Sequence, residues 1–126
     1  MSKESGMKKI LIADDRAPSR ELIREILEMA GYQVAEAPDG AQALEMAQQL
    51  SPDLILLDIE MPALNGFGVI EKLREDPRFA ATPVVALTAS AMQGDREKAL
   101  QAGFTGYISK PVRLAALRAE VARLLR

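Results

Sequence analysis

Four short strand-like runs in this sequence are each followed directly by polar side chains that can do chemistry. Carboxylates supply hard oxygen ligands for a cation, a hydroxyl donates and accepts hydrogen bonds, and an ammonium group neutralises anionic oxygens. If parallel strands carry such residues at their carboxyl ends, all of them meet at one edge of a sheet. In chain order the residues are Asp14 with Asp15, Asp58, Thr88 and Lys110.

The run Leu54–Leu57 is the clearest of the four. Four apolar residues without a polar break predict a strand that is buried on both faces, as a central strand of a parallel sheet is. Asp58 then stands just past the carboxyl end of that strand. Because open α/β sheets bind ligands at this rim, we expect Asp58 to be accessible to solvent.

The spacing of strands predicts how close these side chains come. Neighbouring strands lie about 4.8 Å apart, so Asp58 is expected one spacing from Asp14 and Asp15 and one spacing from Thr88. Lys110 begins two spacings away, about 10 Å, and its long side chain can reach back. Three carboxylates so close repel one another and favour a hard divalent cation, for which Mg²⁺ fits better than a soft metal.

The elements that must position these residues alternate regularly. Helical periodicity follows every strand-like run, so the sequence predicts five βα units, a parallel sheet and helices on both of its faces. The predicted strands are 10–13, 32–37, 54–57, 84–87 and 106–109. The helices are marked by apolar stripes within 18–30, 43–50, 67–73, 91–102 and 114–124.

The composition of the runs also predicts the order of the strands. The first, third and fourth runs are wholly apolar and suit the centre of the sheet, whereas the second alternates and the fifth is short, which suits edges. We therefore expect a flavodoxin-like, doubly wound five-stranded parallel sheet of order 2-1-3-4-5 with five helices.

The helical stripes predict which side chains face the core. In the first helix we expect Leu22 beside Ile23, Ile26 and Leu27, and in the fifth Leu114 to begin the buried stripe. The segment Ala91–Ala102 has the thinnest stripe, with little besides Met92, Leu100 and several alanines to face a core. We expect it to be the most weakly held helix.

Length and composition limit the function further. The 126 residues suit one domain, with residues 1–7 as a polar leader and 8–126 folded. Cys and His are both absent, which excludes disulfides, thiolate or imidazole metal sites and a phosphohistidine on this chain. A formal charge of −2 offers no general attraction to nucleic acid or to an anionic membrane. No run approaches transmembrane length, so we expect a cytoplasmic protein.

These features together resemble the receiver domain of bacterial two-component response regulators, over about residues 8–126. Each motif is weak alone, but together, in this order at the ends of four strands, they are specific. The positions that carry the resemblance are Asp14-Asp15, Asp58 with Met61-Pro62 and Gly66, Thr88-Ala89, Tyr107 and Lys110-Pro111.

The resemblance implies a phosphoacceptor that catalyses its own phosphorylation and dephosphorylation and is otherwise not an enzyme. Asp58 would accept a phosphoryl group from a histidine kinase or a histidine phosphotransfer protein. Asp14, Asp15 and Asp58 would hold Mg²⁺ together with the main-chain carbonyl of Glu60. Lys110 would contact the phosphoryl oxygens, and its peptide bond to the following proline would be cis.

The resemblance also implies how the signal leaves the domain. Thr88 would contact the phosphoryl group, and Tyr107 would turn inward into the space that its hydroxyl vacates. We expect a downstream protein target, reached through the face formed by Ala91–Ala102, Tyr107 and Leu114–Leu125. We expect no direct contact with nucleic acid or membrane, and a stand-alone regulator that is a monomer or a weak dimer.

Three other interpretations remain open from the residues alone. The chain can be read as a receiver domain cut from a hybrid kinase, or as a receiver-like binding module that never gains phosphate. It can also be read as an aspartyl-phosphate phosphatase of another α/β class, with Glu60 as general acid. Two positions at which receiver domains vary lead to a further hypothesis. We expect Arg16 and Glu60 to approach each other across the cleft and to restrict attacking water.

Overall fold

The computed structural model describes residues 7–89 and 94–125. Residues 1–6 of the predicted leader, and Ala91 and Met92 at the predicted start of the fourth helix, lie outside the described residues. Strands and helices alternate as the sequence predicts. The elements are β1 Lys9–Ala13, α1 Ala17–Met29, β2 Gln33–Ala37, α2 Gly40–Leu50, β3 Leu54–Asp58, α3 Gly66–Glu75, a short 3-10 helix Pro77–Phe79, β4 Val84–Thr88, α4 Asp95–Ala102, β5 Gly106–Ser109 and α5 Leu114–Leu124.

The five strands form one parallel sheet of order β2-β1-β3-β4-β5, which confirms the predicted flavodoxin-like fold. β3 and β4 are buried throughout, whereas β2 at one edge is buried only at its last residue. The apolar runs therefore occupy the centre because only central strands are covered on both faces.

The core consists of two layers, one on each face of the sheet. Alternate residues of a strand point to opposite faces, so Ile10 and Ile12 pack with α1 and α5, and Leu11 and Ala13 pack with α2, α3 and α4. The helices cover both faces of the sheet but not its carboxyl-terminal end, where the strands stop.

Three leucines depart from the predicted core. Leu22 is 51% exposed because it lies at the margin of the face centred on Ile23, Ile26 and Leu27. Leu114 is 48% exposed, since α5 begins at this residue and its packing starts one turn later, at Leu117.

The third departure is Leu100 in α4, which is 41% exposed. Ala99 is the residue through which this helix is buried against the core. The predicted thin contact of this helix is therefore confirmed for the described residues 95–102. Within the described residues 7–89 and 94–125, no helix is long and apolar enough to span a membrane.

Candidate functional site

The carboxyl ends of β1, β3 and β4 place three polar side chains at one edge of the sheet. Asp14 follows β1 directly, and its main-chain N–H donates to the Ala37 carbonyl at 3.2 Å, which fixes the turn after the strand. Asp58 is the last residue of β3, and Thr88 is the last of β4. All three are buried, although polar residues are seldom fully buried without partners.

Three carboxylates converge at this edge, as the strand spacing predicts. Oxygens of Asp14, Asp15 and Asp58 all lie within 4.8 Å of one another. Asp14 and Asp58 are buried, whereas Asp15 is exposed at the rim. A cluster of hard oxygen ligands that is open on one side fits Mg²⁺, which uses a few carboxylates and keeps several waters.

Lys110 joins the two buried carboxylates. Its Nζ lies 3.0 Å from Asp14 Oδ2 and 3.0 Å from Asp58 Oδ2, so the predicted reach of this side chain is confirmed. Its main-chain N–H donates to the Thr88 carbonyl at 2.7 Å, which ties the end of β5 to the end of β4. The Lys110–Pro111 peptide bond is cis, as the resemblance implies.

Asp58 is less accessible than the sequence predicts. Its side chain is only 3% exposed, so the expectation of an open carboxylate is wrong for this conformation. Both of its oxygens are engaged: Oδ1 accepts the main-chain N–H of Glu60 at 2.9 Å, and Oδ2 accepts the Lys110 ammonium. The Asp58 carboxylate is therefore held between the Glu60 main chain and the Lys110 side chain.

Burial and hydrogen bonding act in opposite directions on these groups. Burial raises the pKa of Asp58 and outweighs the hydrogen bonds from Lys110 and Glu60. Burial also raises the pKa of Asp14, but hydrogen bonds from the Arg16 main chain and from Lys110 bring it below its usual value. For Lys110, burial lowers the pKa, and the bonds to the two carboxylates more than compensate, so the ammonium stays protonated.

The Glu60 carboxylate binds the end of β4. Its Oε2 accepts the Thr88 hydroxyl at 2.5 Å, and its Oε1 accepts the Ala89 main-chain N–H at 3.0 Å. The Arg16 side chain is exposed, and no ion pair joins it to Glu60 among the residues described. Glu60 takes its hydrogen-bond donors from Thr88 and Ala89 instead, and the hypothesis that Arg16 and Glu60 together restrict attacking water stays a prediction.

Tyr107 lies beside this contact. Its hydroxyl is buried and, within residues 7–89 and 94–125, has no hydrogen-bond partner. Burial, followed by the charges of Asp95 and Glu60, raises the pKa of Tyr107. Tyr107, Thr88 and Glu60 line one cavity of about 160 Å³, so the two predicted switch residues share a space that can be repacked.

Sequence reasoning missed Arg20. Its Nη1 donates to the Asp14 carbonyl at 2.8 Å, and its Nε donates to Glu36 Oε1 at 2.8 Å. Arg24, one turn later on α1, also pairs with Glu36. Two arginines spaced i, i+4 and facing a lone glutamate of a neighbouring edge strand were the available signal.

Gly66 holds the segment after β3 close to the site. A Cβ at this position would lie 2.7 Å from the Ile59 Cα and 2.8 Å from the Asp58 carbonyl oxygen. Asn65 precedes it and caps α3, because its Oδ1 accepts the Gly68 N–H at 3.1 Å. Glycine at position 66 therefore permits α3 to start against the backbone that carries Asp58.

Comparison of this sequence with those of known proteins points to the same kind of site. The family model described as "Response regulator receiver domain" matches residues 10–122. The polar-differentiation response regulator DivK of Brucella anthropi is 39% identical over 105 residues, which cover 83% of this chain and 85% of that protein.

Solved structures agree as well. The chemotaxis protein CheY4 of Vibrio cholerae has a TM-score of 0.90 at 32% identity and covers 95% of this chain and 100% of its own. The receiver domain of the sensor histidine kinase PA1611 from Pseudomonas aeruginosa has a TM-score of 0.87 at 35% identity, covers 95% of this chain and 98% of its own, and carries a magnesium ion in its active site cleft. The chain therefore belongs to the response regulator receiver domain family.

Proposed function

We propose that this chain is a Mg²⁺-dependent phosphoacceptor in which Asp58 receives a phosphoryl group from a histidine kinase or a histidine phosphotransfer protein. One observation carries the proposal. The Asp58 carboxylate lies 3.0 Å from the Lys110 ammonium and within 4.8 Å of the oxygens of Asp14 and Asp15. A nucleophile, the Lys110 ammonium and two further carboxylates thus lie together at the carboxyl-terminal end of the sheet.

Phosphoryl transfer from a phosphohistidine releases an imidazole as the leaving group. An Asp58 oxygen attacks the phosphorus of a phosphohistidine, and the new P–O bond forms as the P–N bond breaks. The electron pair of that bond remains on the imidazole nitrogen, which takes up a proton from solvent. A carboxylate requires no general base, and the absence of His from this chain means that the imidazole belongs to the donor protein.

The residues of the site divide this work. Asp14, Asp15, Asp58 and the main-chain carbonyl of Glu60 would hold Mg²⁺. The ion, when bound, supplies positive charge to the phosphoryl oxygens. Lys110 leaves its hydrogen bond with Asp58 and binds a phosphoryl oxygen, which also opens the access that burial of Asp58 restricts. The Thr88 hydroxyl donates to a second oxygen.

The output follows from the shared cavity of Thr88 and Tyr107. A change at Thr88 alters the space beside Tyr107, and α4 next to it is held through little more than Ala99. The face of α4, β5 and α5 then presents a different surface to a downstream protein. In this proposal residues 8–126 form a cytoplasmic receiver domain, monomeric or weakly dimeric, that does not bind nucleic acid or membrane directly.

Intact mass spectrometry tests the proposal. Incubation with acetyl phosphate and Mg²⁺ should add about 80 Da, one phosphoryl group. Asp58→Asn should abolish the gain. Asp53→Asn, directly before the first residue of the same strand, is the matched control and should keep it. A mass gain that persists in Asp58→Asn would place the acceptor elsewhere and contradict the proposal.

Two alternatives have an observation in their favour. The burial of Asp58 favours a receiver-like binding module that never gains phosphate, and an unchanged mass for the wild-type chain would support it. The similarity to the receiver domain of a sensor histidine kinase favours a domain cut from a hybrid kinase. The phosphatase interpretation has less support, because the Glu60 carboxylate is bound to Thr88 and Ala89 rather than free to act as an acid.

A further inference from the structure

Glu60 occupies the two donors at the end of β4 with its two carboxylate oxygens. One oxygen accepts the Thr88 hydroxyl and the other accepts the Ala89 N–H, at 2.5 and 3.0 Å. The residue itself is on the exposed side of the site, whereas Thr88 is buried. Glu60 thus lies at the surface and reaches inward over the end of the strand.

A phosphoryl group on Asp58 needs the same kind of donor. Its oxygens are anionic acceptors, as those of a carboxylate are, and a hydroxyl has a single hydrogen to donate. Thr88 Oγ therefore cannot donate to Glu60 and to a phosphoryl oxygen at the same time. The Glu60 charge also stands two residues from the acceptor, where it repels an approaching phosphoryl anion.

We propose that Glu60 is an internal competitor of the phosphoryl group. Its carboxylate holds Thr88 Oγ and Ala89 N–H in the unphosphorylated protein and must be displaced when Asp58 is modified. The inference rests on the proposed function of Asp58. It assigns to Glu60 a regulatory role, which is to set the threshold for phosphorylation and for the accompanying movement of Thr88.

The Glu60 side chain can be displaced without movement of its backbone, because the side chain and the main chain of Glu60 have separate partners. The main-chain N–H of Glu60 donates to Asp58 Oδ1 at 2.9 Å, so the backbone stays anchored while the side chain rotates. The vacated position borders the cavity that Tyr107 lines. Release of Thr88 from Glu60 therefore changes the surroundings of Tyr107 in the same step.

The test uses beryllium trifluoride, a small analogue of the phosphoryl group, with Mg²⁺ and the full chain. Affinity is measured by titration for the wild type and for Glu60→Ala, Glu60→Gln and Glu60→Asp. Glu60→Ala should bind about tenfold more tightly, the order expected when competing charge-assisted hydrogen bonds at an exposed position are removed. Glu71→Gln, an exposed glutamate on α3, is the matched charge control and should bind like the wild type.

The remaining variants separate the contact from the charge. Glu60→Asp keeps the charge but shortens the reach, so it should also bind more tightly than the wild type. A tighter Glu60→Gln beside an unchanged Glu60→Asp would mean that charge alone acts and would overturn the inference. In the unmodified proteins, the Ala89 amide proton resonance should move upfield in Glu60→Ala and stay unmoved in Glu71→Gln.

The outcomes distinguish this inference from the function on which it rests. Equal affinity of the wild type and all Glu60 variants overturns the role of Glu60 and leaves the phosphoacceptor intact. If none of the proteins binds the analogue while all of them bind Mg²⁺, both the proposed function and the inference fail.

Discussion

Lys110 Nζ lies 3.0 Å from Asp58 Oδ2, although 52 residues separate the two in the chain. The same ammonium lies 3.0 Å from Asp14 Oδ2, so one cation serves two buried carboxylates. Two buried acids without a cation would repel each other and lack a partner for their charge. The stability of the site in the absence of metal therefore depends strongly on this side chain, beside the main-chain N–H groups of Arg16 and Glu60.

Replacement of Lys110 should have opposite effects on stability and on metal binding. We expect Lys110→Met to lower the free energy of unfolding by about 3 kcal/mol without metal, because two buried carboxylates lose their cation. Mg²⁺ should bind several-fold more tightly, since the competing ammonium is gone. Urea denaturation with and without Mg²⁺, with calorimetry for the affinity, measures both. Lys98→Met, on α4, is the control; weaker Mg²⁺ binding in Lys110→Met would contradict the prediction.

Asp58→Asn should stabilise the metal-free fold by about 1 kcal/mol near neutral pH. Burial raises the pKa of Asp58, so ionisation of this group opposes folding. An acid whose pKa is raised on folding loses stability as the pH rises above its unfolded value, here 3.8. The advantage of Asn should therefore be small below that pH and complete above the folded-state pKa.

Urea denaturation in the presence of a chelator, repeated across that pH range, measures this difference for the wild type and Asp58→Asn. Asp53→Asn, directly before β3, controls for a general change of charge. An advantage of Asn that shrinks as the pH rises would show that Asp58 is stabilised by its partners more than it is penalised by burial.

Arg20 should matter for metal binding, whereas Arg24 should not. Both arginines pair with Glu36, but only Arg20 donates to the carbonyl of Asp14. Loss of this bond frees the turn that orients Asp14 and Asp15, so Arg20→Ala should weaken Mg²⁺ binding about tenfold. Arg24→Ala removes the same charge from the same helix and should leave the affinity within about twofold of the wild type. Equal losses in both variants would indicate a purely electrostatic effect.

Gly66→Ala should be among the most damaging small substitutions. The added Cβ meets backbone atoms of residues 58 and 59, which cannot move without displacing the site, and overpacking of this kind costs about 1–3 kcal/mol. Gly68→Ala is the control two positions later, where a Cβ meets the side chain of Leu64, which can rotate away. Thermal unfolding of both should show a loss confined to Gly66→Ala.

Local pattern determined the architecture of this protein and the convergence of its acids. Uninterrupted apolar runs such as Leu54–Leu57 can be satisfied only in the centre of a sheet, and the alternation of strands and helices requires parallel pairing. Once the strands are parallel, Asp14 and Asp58 must meet at one edge. These conclusions need only periodicity and strand polarity, which are properties of neighbouring residues.

Tertiary structure alone decided which partner each side chain takes. The binding of Glu60 to Thr88 and Ala89 and the contact of the buried Asp58 with Lys110 depend on distances between residues far apart in sequence. The bond from Arg20 to the Asp14 carbonyl joins residues only six positions apart, but it depends on the placement of α1 beside the end of β1. A sequence pattern shows which face of an element a residue occupies, but the choice among several donors within reach is made by packing in three dimensions.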